Sequence, residues 1–221
     1  MTVKIDVFVD VLCVWAWVSG IRVREVHQTF GDQVAIDWHV LNLFGCTEKR
    51  IGQGWADKGS YEGFGRHVHH VCESFDHVTP SKCIWQEVRP CSSLPAHLWL
   101  KAAEHVARQS GQPVCTGDWL AAVQEAFFAQ GQDISQEAVL VEVFTGLRLD
   151  ESALRAALAT GEPGAAVARD LALAEEYRLR GSPSYVLNEG RQVLFGNVGY
   201  RIIEANIQEI LNRPGDIASW C

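Results

Sequence analysis

The chain has 221 residues, 48% of them hydrophobic and 21% charged, with a formal net charge of −8. That length makes one large domain, or a core with a big insertion, and leaves ample material for a buried interior. Ordinary apolar content with eight Trp excludes disorder, an acidic balance without a Lys/Arg run excludes a nucleic-acid partner, and no apolar stretch approaches the roughly 20 residues of a membrane span.

The opening run MTVKIDVFVDVLCVWAWVSG has only Lys4 ahead of a polar-interrupted apolar stretch and no small-residue cleavage site. It reads as the first strand and not as a signal peptide, with Ile5, Val7 and Val9 alternating with Lys4, Asp6 and Phe8. Val14 to Phe30 reads as a helix, because Trp17, Val18, Ile21, Val26 and Phe30 fall largely at helical spacing and Gly31 closes it. The β-branched stretch Val34 to Val40 gives a second strand, and the β-α-β unit is long enough for a parallel pair with a crossover helix. Leu41 to Tyr61 is rich in Gly, Asn and Asp and reads as loop; Glu62 to Phe75 reads as a helix of poor periodicity.

HLWLKAAEHVAR follows as a helix, with Ser92 or Ser93 as N-cap and Pro95 in its first turn. Further helices are expected over Asp118 to Ala129, Gln136 to Phe144, Glu151 to Leu158 with Asp150 as N-cap, and Gly164 to Arg180. Tyr185 to Leu187 and Gln192 to Phe195 form a hairpin about Asn188-Glu189-Gly190, and Tyr200 to Leu211 is a last helix stopped by Pro214 and Gly215. The order β-α-β, helical block, α-β-β-α is that of an α/β thioredoxin fold with an all-helical insertion. The core covers about 1–44 and 162–213, the insertion 45–161, and a C-terminal tail 214–221.

Seven cysteines, an odd number without a Cys-x-x-Cys, point to free thiols in a cytoplasmic protein and not to a disulfide framework. Cys13 stands apart. It follows the first strand at the start of the first helix, where unpaired N–H groups and the helix dipole favour thiolate and lower its pKa; the bland alternative is a buried structural thiol. Gly181-Ser182-Pro183-Ser184-Tyr185 leads into the hairpin. A cis Ser182–Pro183 bond there would present the Ser182 backbone to an extended ligand, whereas a trans proline would only break the loop.

RHVHHVCESFDHV gathers His67, His69, His70, Cys72 and His77 in no specific zinc spacing. They read as lining the inner surface of the insertion, so His67, His69, His70 and Trp17 are pocket candidates and no metal is assigned. The scattered Trp residues read as core and pocket wall, except Trp15 beside the thiol. Neither a GxGxxG phosphate loop nor a GxSxG elbow is present.

DVLCVWAWVSG, SSLPAHLWLKAAEHVARQSG, EAFFAQGQDISQEAVL and LRGSPSYVLNEGRQVLFGNVGYRIIEANIQEIL together resemble the DsbA-like thioredoxin superfamily over nearly the whole chain. Dithiol oxidoreductases of the DsbA type carry Cys-Pro-Trp-Cys at the first motif. Kappa-class glutathione transferases and 2-hydroxychromene-2-carboxylate isomerases carry a Ser there. Cys13 and Trp15 match the dithiol branch, but Val14 replaces its proline and Ala16 its resolving cysteine. DVLxxxxW and Phe195-Gly196 are closer to the glutathione-dependent branch.

The resemblance implies an enzyme, a thiol–disulfide oxidoreductase or isomerase with Cys13 as nucleophile, in an active-site turn of Val14, Trp15 and Ala16. Ser182, Pro183 and Tyr185 are then the substrate-binding stretch. The resolving thiol comes in trans or from Cys83, Cys91 or Cys221. One rival is a glutathione-dependent transferase or isomerase; another is a non-catalytic thiol, metal or peptide receptor. The expected partner is a thiol or disulfide, small molecule or protein, with no nucleic acid or membrane. Glutathione is admitted as co-substrate without a firm cofactor, and a homodimer is compatible with this reading.

Overall fold

The computed structural model describes residues 2–212. Strand β1 (Val3–Val9) has every residue but Lys4 buried and lies inside a four-stranded sheet ordered β2-β1-β3-β4. Strand β2 (Val34–Val40) runs parallel to it, from Val3 opposite Val34 to Val9 opposite Val40. A parallel pair needs a crossover, and helix α1 (Val14–Phe30) supplies it. Strands β3 (Ser184–Leu187) and β4 (Gln192–Phe195) close the sheet as an antiparallel hairpin, with β3 against β1. At the hairpin turn Asn188, Glu189 and Gly190 all have positive φ, which Asn and Gly adopt readily.

Between β2 and β3 lie α2 (Ser60–Cys72), α3 (Leu94–Ser110), α4 (Thr116–Phe128), α5 (Glu137–Gly146), α6 (Glu151–Ala159) and α7 (Glu162–Glu176); α8 (Tyr200–Leu211) follows the hairpin. The thioredoxin order with a helical insertion is therefore present. Asp150 caps α6 as expected, its carboxylate accepting from Ala153 N–H. Three local expectations need correcting. The stretch read as loop contains a π-helical turn at Glu48–Gln53 and a 3₁₀ turn at Ala56–Lys58. Helix α7 stops at Glu176, not Arg180: Arg178 takes a left-handed φ of 52°, and Leu179 N–H reaches back to Ala174 O. Ser93 occupies the cap position of α3 without capping it, since its hydroxyl is spent elsewhere; Ser92 Oγ accepts from Leu94 N–H instead. Pro214 and Gly215 lie outside the described residues.

One sheet face packs beneath α1 and the insertion in a core that includes Trp85, Phe127, Phe128 and Phe144, all fully buried. The other face, with Phe8 and Val186, is covered through Ala174 of α7. A chain of alternating charges joins insertion to sheet. Lys4 pairs with Asp6, His39 bridges Asp6 and Asp170, Lys101 bridges Asp170 and Glu104, and Glu104 pairs with Arg108. No helix among the described residues is long and apolar enough to cross a membrane.

Candidate active site

Cys13 lies between β1 and α1 at the helix cap position, with extended φ and ψ of −84° and 113°. Its carbonyl accepts from Ala16 N–H at 3.0 Å and Trp17 N–H at 3.1 Å, starting the helix. The thiol points at the loop before β3, where the Ser182–Pro183 bond is cis, and Cys13 S–H donates to Ser182 O at 3.2 Å. The two sequence motifs that singled out this site, 169 residues apart, are thus in contact. Ser182 Oγ accepts from Asp10 N–H at 3.0 Å, which fixes the loop to the end of β1. Val14 and Ala16 are buried, and Trp15 is half-buried with its ring edge-on to Phe75.

The direction of the Cys13 titration differs from the expectation. The residue is only 6% exposed. Burial pushes the thiol up and outweighs the Ser182 side-chain hydroxyl and the Ala16 and Trp15 N–H groups, which favour the thiolate and pull it down; the Asp10 charge adds to the rise. The helix-start donors are present as expected, but they act on a sulfur already taken out of water. The resting state is a neutral thiol.

Asp10 is fully buried, and its carboxylate accepts from Leu12 N–H, Phe44 N–H and Ser93 Oγ, each at 2.9 Å. Next to it, buried His97 accepts from Val11 N–H through Nε2, and burial lowers its pKa. The imidazole is therefore neutral, and its 3.9 Å approach to Asp10 is not an ion pair. Sequence reasoning missed Asp10, Ser93 and His97. One signal was available: an acid three residues before Cys13, where an apolar strand runs into an apolar helix.

The histidine cluster sits elsewhere. His67 packs on Trp55, with ring centroids 5.2 Å apart, and burial lowers its pKa, helped by the charges of His70 and Lys58. His70 is exposed and pairs with Glu73 at 3.0 Å; His69 is partly buried on the same helix. Among the described residues no group of three His, Cys, Asp or Glu is placed to hold a metal. A cavity of about 1160 Å³ runs along the sheet face under α1 and α4. Its wall includes Ala16, Trp17, Pro183 and Tyr185, so Trp17 does reach a pocket. His77, not His67, His69 or His70, is the cluster member that lines it, and its Nε2–H donates to Val18 O. Tyr185 Oη and Gln124 Nε2, both buried in this wall, have no hydrogen-bond partner among the described residues.

No described cysteine is in a disulfide. Cys83 is held by Ser81 and Gly131, Cys91 is exposed, and Cys221 lies outside the described residues.

Residues 99–208 match the model of the DSBA-like thioredoxin domain. No curated protein matches the chain in sequence. Among solved structures, a candidate protein disulfide isomerase from Nitrosomonas europaea superposes with a TM-score of 0.76 at 16% identity, over 97% of this chain and 100% of its own. The cytosolic disulfide reductase DsbM from Pseudomonas aeruginosa, in its structure with GSH, gives 0.68 at 18% identity, over 93% and 99%. A 2-hydroxychromene-2-carboxylate isomerase gives 0.64 at 16% identity, over 98% and 100%. At such identities the likeness is one of fold. Together with the Cys13 turn and the loop before β3, it gives this chain a DsbA-like thioredoxin fold, with the DSBA-like thioredoxin domain itself matched over residues 99–208.

Proposed function

We propose that the chain is a thiol–disulfide oxidoreductase that works with one thiol, Cys13, and takes its resolving thiol from solution. The observation that carries this reading is the Cys13 S–H bond to Ser182 O, with Ala16 where a partner cysteine would stand. A substrate that pairs along the Ser182 backbone competes for that carbonyl and frees the thiol. Cys13, giving up its proton, then attacks one sulfur of the substrate disulfide; the other sulfur leaves and takes a proton. Glutathione in trans attacks the mixed disulfide, restoring Cys13 and leaving as oxidised or mixed glutathione disulfide. The DsbM structure with GSH supports glutathione as the small thiol, and the free cysteines agree with a reducing, cytosolic compartment.

The test is turnover of a glutathionylated peptide with glutathione present, together with mass analysis of the trapped enzyme. A single glutathione adduct at Cys13, and no turnover by Cys13→Ser, are expected. Equal turnover by Cys13→Ser overturns the reading.

A second reading, a glutathione-dependent transferase or isomerase, draws support from the cavity beside Ala16, whose volume of about 1160 Å³ leaves room for a second substrate. The same variant separates the two. A transferase whose thiol donor is glutathione keeps conjugating an electrophile when Cys13 becomes Ser, whereas disulfide exchange stops.

A further inference from the structure

Two other thiols stand together outside this site. The segment after β2 runs beside the segment before α3: Thr47 N–H donates to Cys91 O at 3.1 Å and Ser93 N–H to Phe44 O at 3.0 Å. Thr47 Oγ1 adds a bond to Pro90 O at 2.7 Å. Cys46 and Cys91 therefore flank the two ends of one peptide hydrogen bond. Standard peptide dimensions then put their Cα atoms about 5–7 Å apart, which overlaps the spacing of roughly 4.4–6.8 Å found across disulfides. Both are exposed and free. Cys13, Cys83 and Cys115 are tied to carbonyls by S–H hydrogen bonds; Cys46 and Cys91 make no such bond among the described residues.

We propose that Cys46 and Cys91 are a second, redox-responsive dithiol, which closes to a disulfide on meeting a low-molecular-weight disulfide. One of the two, as thiolate, attacks the small disulfide and expels one small thiol. The other then attacks the mixed disulfide and expels the second. The protein loses two electrons and two protons, and these leave with two molecules of small thiol. The bond fastens the segments that carry Phe44 and Ser93, whose N–H and O–H both end on Asp10 Oδ2. It therefore braces the carboxylate beneath Cys13 without involving Cys13.

The full chain is equilibrated with excess oxidised glutathione, alkylated, digested and mapped by mass spectrometry, beside Cys13→Ser, Cys46→Ser and Cys91→Ser. The expected result is a peptide pair joined through Cys46 and Cys91, in the natural chain and in Cys13→Ser alike. In Cys46→Ser and Cys91→Ser the join disappears and the surviving thiol carries glutathione. Glutathione on both cysteines without a join, no reaction at either, a join of Cys91 to Cys83 instead, or a join that requires Cys13 overturns the proposal. The Cys13→Ser arm keeps this outcome separate from the fate of the proposed oxidoreductase activity.

Discussion

Raising the pH should weaken the molecule through one imidazole. His39, in β2, has Nδ1 2.7 Å from Asp170 and Nε2 3.0 Å from Asp6, with its side chain only 15% exposed. Burial alone would lower its pKa, but hydrogen bonds and charges from Asp170 and Asp6 raise it from 6.5 to about 9. At about 1.4 kcal/mol for each tenfold change in proton affinity, that rise corresponds to about 3 kcal/mol of stability. Below pH 6.5 the folded and unfolded chains both hold the proton, and the contribution is complete. Between 6.5 and about 9 only the folded chain holds it, so stability falls as pH rises; above that the contribution is gone.

The assay is urea unfolding followed by tryptophan fluorescence, from pH 6 to pH 9.5, on the natural chain and His39→Gln. In the variant Asp6 keeps Lys4 and Asp170 keeps Lys101. Subtracting the two curves removes the alkaline loss from Cys13 and Cys72, whose thiols are also pushed up by burial. The difference should shrink by about 3 kcal/mol across this window. A difference that is flat between pH 6.5 and 9, or that grows, refutes the assignment of His39 as a buried cation.

Ala16→Cys adds a thiol three residues beyond Cys13 on the first turn of α1, where side chains at that spacing are neighbours; oxidation should join the two, seen as a linked peptide, and none forms if the turn is read wrongly. Ser93→Ala removes one of three donors to the buried Asp10 carboxylate and should cost about 1.5–3 kcal/mol in chemical unfolding, as hydrogen bonds to charged groups do. A loss within error would mean that another donor takes over. Asp150→Ala removes the α6 cap and should cost about 1 kcal/mol by the same measurement, with no change in Cys13 alkylation rate.

What could be read from the chain was what is local. The bounds of α1 and β2 follow from β-branching and helical spacing, and Cys13 and Pro183 were marked by their places next to β1 and β3. The end of α7 was not readable, because a left-handed Arg178 carries no glycine signal. Ser93 looked like a cap because capping is a near-neighbour effect, while its actual partner, Asp10, lies 83 residues away. The Cys13 titration departs from the helix-start expectation for the same reason: helix-start N–H groups are visible in sequence, but the burial that outweighs them comes from packing. The histidines illustrate the limit from the other side. Their clustering in sequence is real, yet helix α2 turns His67 toward Trp55 and His70 toward solvent.

The charge chain from Lys4 to Arg108 has a mechanical consequence. Lys101, Glu104 and Arg108 lie on α3, whereas Lys4, Asp6 and His39 lie on β1 and β2 and Asp170 on α7, so the ladder crosses the joint between α3 and the sheet. A hinge at that joint would have to pull Lys101 from Asp170, two side chains less than one-tenth exposed, leaving Lys101 with Glu104 and Asp170 with His39. Helix α3 is therefore tied to α7 and to the sheet through Lys101, which also donates to Trp38 O at 3.0 Å. Any widening of the space around Cys13 falls to elements outside the ladder: α2 and the stretch at residues 73–91 that carries Phe75 against Trp15.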